Sequence, residues 1–373
     1  MNTIIKNNKE YNLIGFWLNT PETPSYDSKG KKFNIPVHNK NIWLQKNYFI
    51  DKLKIVQLLL KEQKIYKKKT NEDCLLCSDK NIAPNQYYYK KFIWNDGLIH
   101  YIEKHNFIPD DLFKDAIFFY KLDSKLIIEG AIKYKELQSK DKEYIKINKN
   151  QLLILDALLK HGGYTKKYID INNKLITRYS EHAGLLDFNV NILEKIVIAG
   201  NTTRVDKGDN EIFLPINLKN YKDYEYIFHT HPPTPKPGGR ADVGILYEFP
   251  SMGDILHFID SFNSGKVCGS LVVTSEGLYN IRKIKLDHEK INVNEDGMFK
   301  EFNDNFMKIQ KKYIDKYGIN FSINTFYSKI AQDLEPINLI NKILNKYLIQ
   351  IDYYPRIKHK SNWILDIVYL PIY

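Results

Sequence analysis

Apolar positions along the chain change period twice. From Phe49 onward, Ile50, Leu53, Ile55, Val56, Leu59 and Leu60 recur at helical spacing, and the run closes in Lys67-Lys68-Lys69. Residues 1–48 carry no sustained period and hold Pro21, Pro24 and Pro36, which predicts an irregular segment. A Cys/His stretch over 74–105 follows, then a helical connection over 111–137 and a charged stretch at 140–143. Residues 151–160 predict another helix, stopped by His161-Gly162-Gly163. Beyond it the period shortens to that of strands. Segments 174–179, 190–199, 212–218, 224–231, 269–274 and 278–284 are short and rich in β-branched or aromatic residues. One helix, 251–262, sits among them; 289–348 reads as helical again, and 363–370 predicts a closing strand. The pattern is that of an α+β protein with a strand-rich centre and flanking helices. Four segments are expected: an irregular and helical region 1–65, a small module with a helical connection 66–147, the strand-rich domain 148–288, and a helical region ending in a strand, 289–373.

Composition narrows the class. With 43% hydrophobic and 27% charged residues over 373 positions, the chain has material for about two domains and is not of the disordered type. Three cysteines are too few for a disulfide-stapled scaffold. No apolar run approaches the ~18 residues of a membrane span. The opening MNTIIKNNKEYN has no apolar core before a small-residue cleavage site, so a soluble, cytoplasmic protein without a signal peptide is expected. The net charge of +11 would fit nucleic acid, but only five of the 55 cations are arginine, the side chain suited to bidentate phosphate and base contacts. The lysine excess accompanies Asn, Ile and Tyr, which share A/T-rich codons, and is read as solvated surface.

The most informative stretch is Phe228-His229-Thr230-His231-Pro232, followed by Pro250-Ser251-Met252-Gly253-Asp254. Two histidines at i and i+2 on a strand point to one face, where both imidazoles can reach one ion. Ser251 is a good N-cap, which places Asp254 in the first helical turn, where the helix dipole keeps a carboxylate ionised. Two His and one Asp leave a fourth tetrahedral position for water, the arrangement of a catalytic zinc. Such a water needs a base, and Glu181 in Ser180-Glu181-His182-Ala183-Gly184 is the candidate, with Gly184 allowing close backbone approach. Asp242 is a rival third ligand. Asp254 is preferred because it opens a helix with Ile255, Leu256, Phe258 and Ile259 behind it.

With Glu181-His182-Ala183-Gly184-Leu185-Leu186, then His229-Thr230-His231-Pro232, then Ser251-Met252-Gly253-Asp254, the chain resembles the JAMM (MPN-plus) metalloprotease family over roughly 150–288. Gly269-Ser270-Leu271-Val272-Val273-Thr274 and Gly277-Leu278-Tyr279 are similar to the strand pair that follows the family's zinc helix. The resemblance implies a strand-rich α/β domain, zinc isopeptidase activity, and ubiquitin or ubiquitin-like conjugates as the substrate class. It implies zinc ligation by His229, His231 and Asp254, general-base catalysis by Glu181, and stabilisation of the tetrahedral intermediate by Ser251. One departure is the nineteen residues, 232–250, between His231 and Ser251, well beyond the family's usual spacing. With Pro233, Pro235, Pro237, Gly238 and Gly239 this insertion is expected to bulge as a loop without moving the ligands.

A second constellation is Cys74-Leu75-Leu76-Cys77, then His100 and His105 after 22 intervening residues. Four such ligands with no spare position make a closed, structural zinc site. His100 and His105 on an ideal helix are roughly 140° apart beyond a full turn, so one ring must sit at a frayed or tightened end. The segment resembles a C2H2 zinc finger only in its ligand pattern. Its Cys-to-His spacing exceeds the ~12–15 of common DNA-reading fingers. His38, His161, His288 and His359 are read as structural, His182 as facing away from Glu181, His257 as a second-layer candidate, and Cys268 as a core residue. Two zinc ions are expected, one catalytic and one structural. The reading is a zinc metallopeptidase acting on an amide or isopeptide bond in a protein. The alternatives are a non-catalytic MPN-like interaction module and a zinc-finger nucleic-acid-binding protein.

Overall fold

The computed structural model describes residues 2–15, 43, 45–68, 73–120, 143–162, 166–169, 175–178, 181–189, 191–198, 225–232, 236–265, 267–285 and 289–372. The strand expected at 212–218, the connection beyond Tyr120, His38 and His288 lie outside the described residues. The architecture is mixed α and β, in two compact units, Met1–Glu143 and Tyr144–Tyr373.

The first unit runs β1 (Asn2–Lys6), β2 (Lys9–Leu13), α1 (Lys46–Glu62), β3 (Tyr66–Lys68), β4 (Asn85–Tyr89), β5 (Phe92–Asn95), α2 (Gly97–His105) and α3 (Asp111–Phe118). Its sheet has the order β1-β2-β5-β4-β3. The β1–β2 hairpin corrects the expectation of an irregular start. Its two-residue turn is Asn7-Asn8, with φ of 52° and 59°, the left-handed backbone that tight hairpins require and asparagine tolerates. Helix α1 buries Phe49, Leu53, Val56 and Leu60, the residues whose spacing predicted it. Phe49 packs edge-on against Phe113 and Phe118 of α3, and Trp94 of β5 meets the same Phe113.

The second unit contains β6 (Tyr144–Ile147), α4 (Lys149–Gly162), a separate hairpin of β7 (Lys166–Ile169) and β8 (Leu175–Arg178), β9 (Ala183–Asn189), β10 (Ile192–Ile198), β11 (Glu225–His231), α5 (Met252–Asn263), β12 (Gly269–Thr274) and β13 (Gly277–Lys283). After these come α6 (Glu295–Tyr317), α7 (Glu335–Leu344), β14 (Ile349–Pro355), the hairpin of β15 (Ile357–His359) and β16 (Asn362–Ile364), and β17 (Val368–Pro371). Eight strands form one sheet in the order β14-β13-β12-β11-β9-β10-β6-β17. Its neighbours are antiparallel except β11–β12 and β10–β6, and α5 provides the crossover between β11 and β12.

The C-terminal region is thus not the helical tail ending in one strand that the sequence suggested. β14 completes the sheet beside β13, and β17 pairs with β6. Strand alternation builds two cores. Leu185, Ile227, Val272, Tyr279 and Ile351 face α5, α6 and α7, whereas Leu186, Phe188, Phe228, Leu271 and Val273 face Leu152, Leu155 and Leu159 of α4. Arg356 ties the α4 side to the sheet: it donates to both Asp156 oxygens at 2.7 and 2.6 Å and to the carbonyls of Ser275 and Thr274 at 2.7 and 2.8 Å. Among the described residues no helix is long and apolar enough to cross a membrane.

The β12–β13 turn buries Glu276 completely. Its Oε1 accepts hydrogen bonds from Tyr279 Oη at 3.1 Å and Glu248 N at 2.6 Å, and its Oε2 accepts one from Ser275 Oγ at 3.0 Å. Burial, then the nearby charge of Glu248, pushes its carboxyl from an ordinary 4.5 up to about 7. The folded state therefore holds a proton more tightly than the unfolded chain. The resulting stabilisation is full below about pH 4.5 and is lost as pH rises through about 7. Removing the carboxyl in Glu276→Gln should abolish this component. The stability difference between wild type and variant, from denaturant melts, should then fall by about 3 kcal/mol between pH 4.5 and 7.5. A difference that does not change with pH would refute the assignment.

Candidate metal centres

β11 ends at the N-terminus of the crossover helix, and the His/His/Asp centre lies there, where an open α/β sheet usually builds its ligand sites. His229 and His231 project from the face of β11 that also carries Ile227, the face covered by α5. Their Nε2 atoms are 3.1 Å apart. Asp254, the third residue of α5, brings Oδ1 to 3.0 Å from His229 Nε2 and Oδ2 to 3.5 Å from His231 Nε2. Ions with bonds of about 2.0–2.1 Å to nitrogen and oxygen hold tetrahedral ligands roughly 3.3 Å apart, so the three donors fit one ion without rearrangement. Asp242, the rival ligand, is exposed in a single-turn helix, Ala241–Val243, and is not part of this group.

Local structure explains why Asp254 stands there. Ser251 and Asp254 form a capping box: Asp254 N donates to Ser251 Oγ at 3.3 Å and Ser251 N donates to Asp254 Oδ2 at 2.6 Å. Behind the cap, Met252, Ile255, Phe258 and Ile259 are buried and pin the helix to the sheet. Burial alone would protonate Asp254, but the charges of His229 and His231, a hydrogen bond with His229 and the Ser251 N–H hold it well below the usual carboxylate range. Burial alone would likewise neutralise His229. The Asp254 charge and hydrogen bond, with the Glu181 charge, raise its pKa instead. His231 is oriented from behind, where its Nδ1 lies 3.3 Å from the Glu248 carbonyl. A carbonyl only accepts, so in a neutral His231 this contact takes the Nδ1 proton and turns the Nε2 lone pair toward the centre.

Glu181 lies two residues ahead of β9. His229 stands opposite Ala183, Thr230 N donates to His182 O at 2.9 Å, and the Glu181 charge acts on His229. Residues directly opposite share a face. His182 therefore faces the α4 side, and its Nε2 lies 2.9 Å from His161 Nδ1 of α4. His161 thus has a partner that its sequence context did not reveal. A Cβ at Gly184 would come within 1.9 Å of the Val197 carbonyl oxygen and 2.8 Å of the Phe228 ring, so only glycine lets β9 lie this close to its neighbours.

The insertion does not bulge free. Residues 246–249 are buried, Tyr247 stacks on Phe249, and Gly238 lies against Phe321 and Phe326. Its aromatic end belongs to the core beneath α6. The apolar and aromatic cluster Leu246, Tyr247 and Phe249 is the signal in the sequence that could have shown this.

In the first unit, Cys74, Cys77, His100 and His105 converge within 4.8 Å of one another. Cys74 Sγ lies 3.2 Å from His105 Nε2, Cys77 Sγ 3.4 Å from His100 Nε2, and the two Nε2 atoms are 3.3 Å apart. His105 is the last residue of α2. Asn106 follows in the left-handed conformation (φ 48°) and Phe107 N donates to Tyr101 O at 3.1 Å, the helix-ending turn that the five-residue spacing demanded. Leu76 N points at Cys74 Sγ (3.4 Å) and Asp79 stands 3.5 Å from His100 Nδ1, contacts that hold the sulfur and the imidazole in place. Tyr101, against Cys74, accepts from Leu75 N at 3.0 Å.

The chain is 32% identical over 306 residues to uncharacterized protein R413 of Acanthamoeba polyphaga mimivirus, a match covering 80% of this chain and 84% of that protein. No protein-family model and no solved structure matches it.

Two separate ligand groups should yield two metal ions per chain by elemental analysis. Asp254→Ala should lose one ion and Asp242→Ala none. Cys74→Ser should lose the other ion and loosen 73–107, seen as new protease cuts there, because closed sites couple metal binding to folding. Retention of both ions in Asp254→Ala would remove Asp254 from the ligand set.

Proposed function

We propose that this chain, which belongs to the family of the mimivirus protein R413, is a zinc metallopeptidase of the JAMM type, hydrolysing an amide or isopeptide bond, a reading drawn from its own residues. The observation that carries the reading is the convergence of His229 Nε2, His231 Nε2 and Asp254 at 3.0–3.5 Å, with the Glu181 charge acting on His229. Two imidazoles and one carboxylate leave one tetrahedral position open, which distinguishes this centre from the closed Cys74/Cys77/His100/His105 group. We assign the closed group to a structural zinc. Zinc bound at the open centre would lower the pKa of a water toward ~7 and polarise the scissile carbonyl.

This chain's residues then have separate tasks. The Glu181 carboxylate takes a proton from the attacking water and returns it to the leaving amine. Ser251 Oγ already accepts the Asp254 N–H, which leaves its own O–H to donate to the developing oxyanion, a contact worth about 3 kcal/mol of barrier. Glu248 holds the His231 ring, and the capping box holds Asp254. Ubiquitin or ubiquitin-like conjugates are the substrate class we propose, from the resemblance to JAMM enzymes.

A panel of ubiquitin and ubiquitin-like conjugates tests this. Wild type should cleave at least one, and a chelator should stop it. Glu181→Gln should keep both metal ions and the wild-type melting temperature while turnover falls by ~100-fold or more, because an amide cannot accept the proton. A Glu181→Gln enzyme with near-normal turnover would refute the base, and cleavage unaffected by loss of the open-site ion would refute the peptidase centre.

A further inference from the structure

We infer that Glu276 and Gln310 are positioning residues for His231, acting through the insertion: together they hold residues 246–248 so that the Glu248 carbonyl selects the His231 tautomer. The inference rests on the metal centre proposed above.

Three successive main-chain N–H groups of the insertion end on buried side-chain oxygens. Leu246 N and Tyr247 N donate to Gln310 Oε1 at 2.9 and 3.1 Å, and Glu248 N donates to Glu276 Oε1 at 2.6 Å. Gln310 Nε2 in turn donates to Tyr247 O at 2.8 Å. Both side chains are 0% exposed, and they come from different parts of the fold, Gln310 from α6 and Glu276 from the β12–β13 turn. The Glu248 side chain is fixed as well. Arg240 Nε donates to its Oε1 at 3.0 Å, and Arg240 Nη2 pairs with its Oε2. With its N–H and its carboxylate both held, Glu248 has little freedom to rotate, and its carbonyl stays 3.3 Å from His231 Nδ1.

That contact decides the chemistry of the ring. Neutral imidazole carries one proton, and a carbonyl can receive it only from Nδ1, so Nε2 stays deprotonated where Asp254 and His229 converge. Without the clamp the 246–248 segment could turn, and His231 would populate both tautomers. Partners of this kind typically contribute 10–100-fold to metal affinity.

The test uses full-length chain with 15N-labelled histidine. The long-range 1H–15N spectrum is recorded metal-free above the histidine titration, with His231 assigned by comparison with His231→Asn. Wild-type His231 should be in the Nδ1–H form, and Glu276→Ala and Gln310→Leu should shift it to a mixture. In those variants zinc affinity at the open centre, measured by chelator competition, should fall 10–100-fold. The Cys74/Cys77/His100/His105 ion should be retained. Glu276→Gln keeps an oxygen for the Glu248 N–H and should match wild type in both readouts. The clamp is overturned if folded Glu276→Ala and Gln310→Leu keep the wild-type tautomer and affinity, or if Glu276→Gln is as damaging as Glu276→Ala. Should neither clamp variant fold, the wild-type spectrum decides: an Nε2–H His231 overturns the inference. Clamp variants that shift the His231 tautomer, in a chain whose wild type binds no metal at this centre, would uphold the clamp and overturn the metallopeptidase reading instead.

Discussion

A carboxylate shared between a helix cap and two imidazoles is the contact on which the second unit's candidate metal centre depends. Asp254 closes the capping box of α5 and at the same time faces His229 and His231. Removing such a charge from water is unfavourable by several kcal/mol unless it is paired and hydrogen-bonded, and here both conditions are met by groups with few other positions available. The helix start is fixed by Ser251, the strand end by the β11 ladder, and the separation between them by the apolar face of α5 against the sheet. The same carboxylate therefore locates a secondary-structure boundary and assembles the centre.

The rest of that unit acts as a mount. β11 is central in the sheet, hydrogen-bonded to β9 on one side and β12 on the other, so neither histidine can shift without breaking a ladder. Arg356 binds the end of β12, at Thr274 and Ser275, to Asp156 of α4, and Thr274 is the residue paired with His231. On the opposite face, α6 and the insertion meet through Gln310 and the stacked Tyr247 and Phe249. The C-terminal segment is thus part of the domain that carries the centre. Its helices cover one face of the sheet and its strand β14 extends the sheet beyond β13.

The first unit solves a different problem. Its Cys/Cys/His/His group is closed, and its outer contacts, Asp79 with His100 and the Leu76 N–H with Cys74, are those that fix ligands in place. A small sheet and the described helices α1, α2 and α3, built around Phe49, Trp94 and Phe113, supply its apolar core, and the Cys/His group ties the knuckle at 74–77 to α2.

Local information in the sequence determined a good deal. The i, i+2 histidines on a β-branched run, the Ser-x-x-Asp at a helix start, the Cys-x2-Cys with two later histidines and the helical periods of α1, α4 and α5 are all short-range signals. Each is set by strand or helix geometry within a few residues. Tertiary structure decided what those signals could not contain. The β1–β2 hairpin hangs on two asparagines in the left-handed region, a weak signal next to three later prolines. The insertion reads as loop because its prolines dominate, yet Gln310, more than sixty residues away, captures its N–H groups. His161 found its partner in His182 only because α4 lies under β9. The membership of β14 and β17 in the same sheet likewise follows from packing between distant segments. Hydrogen-bond pairing and burial act in space, whereas a sequence pattern reports only the period of one element at a time.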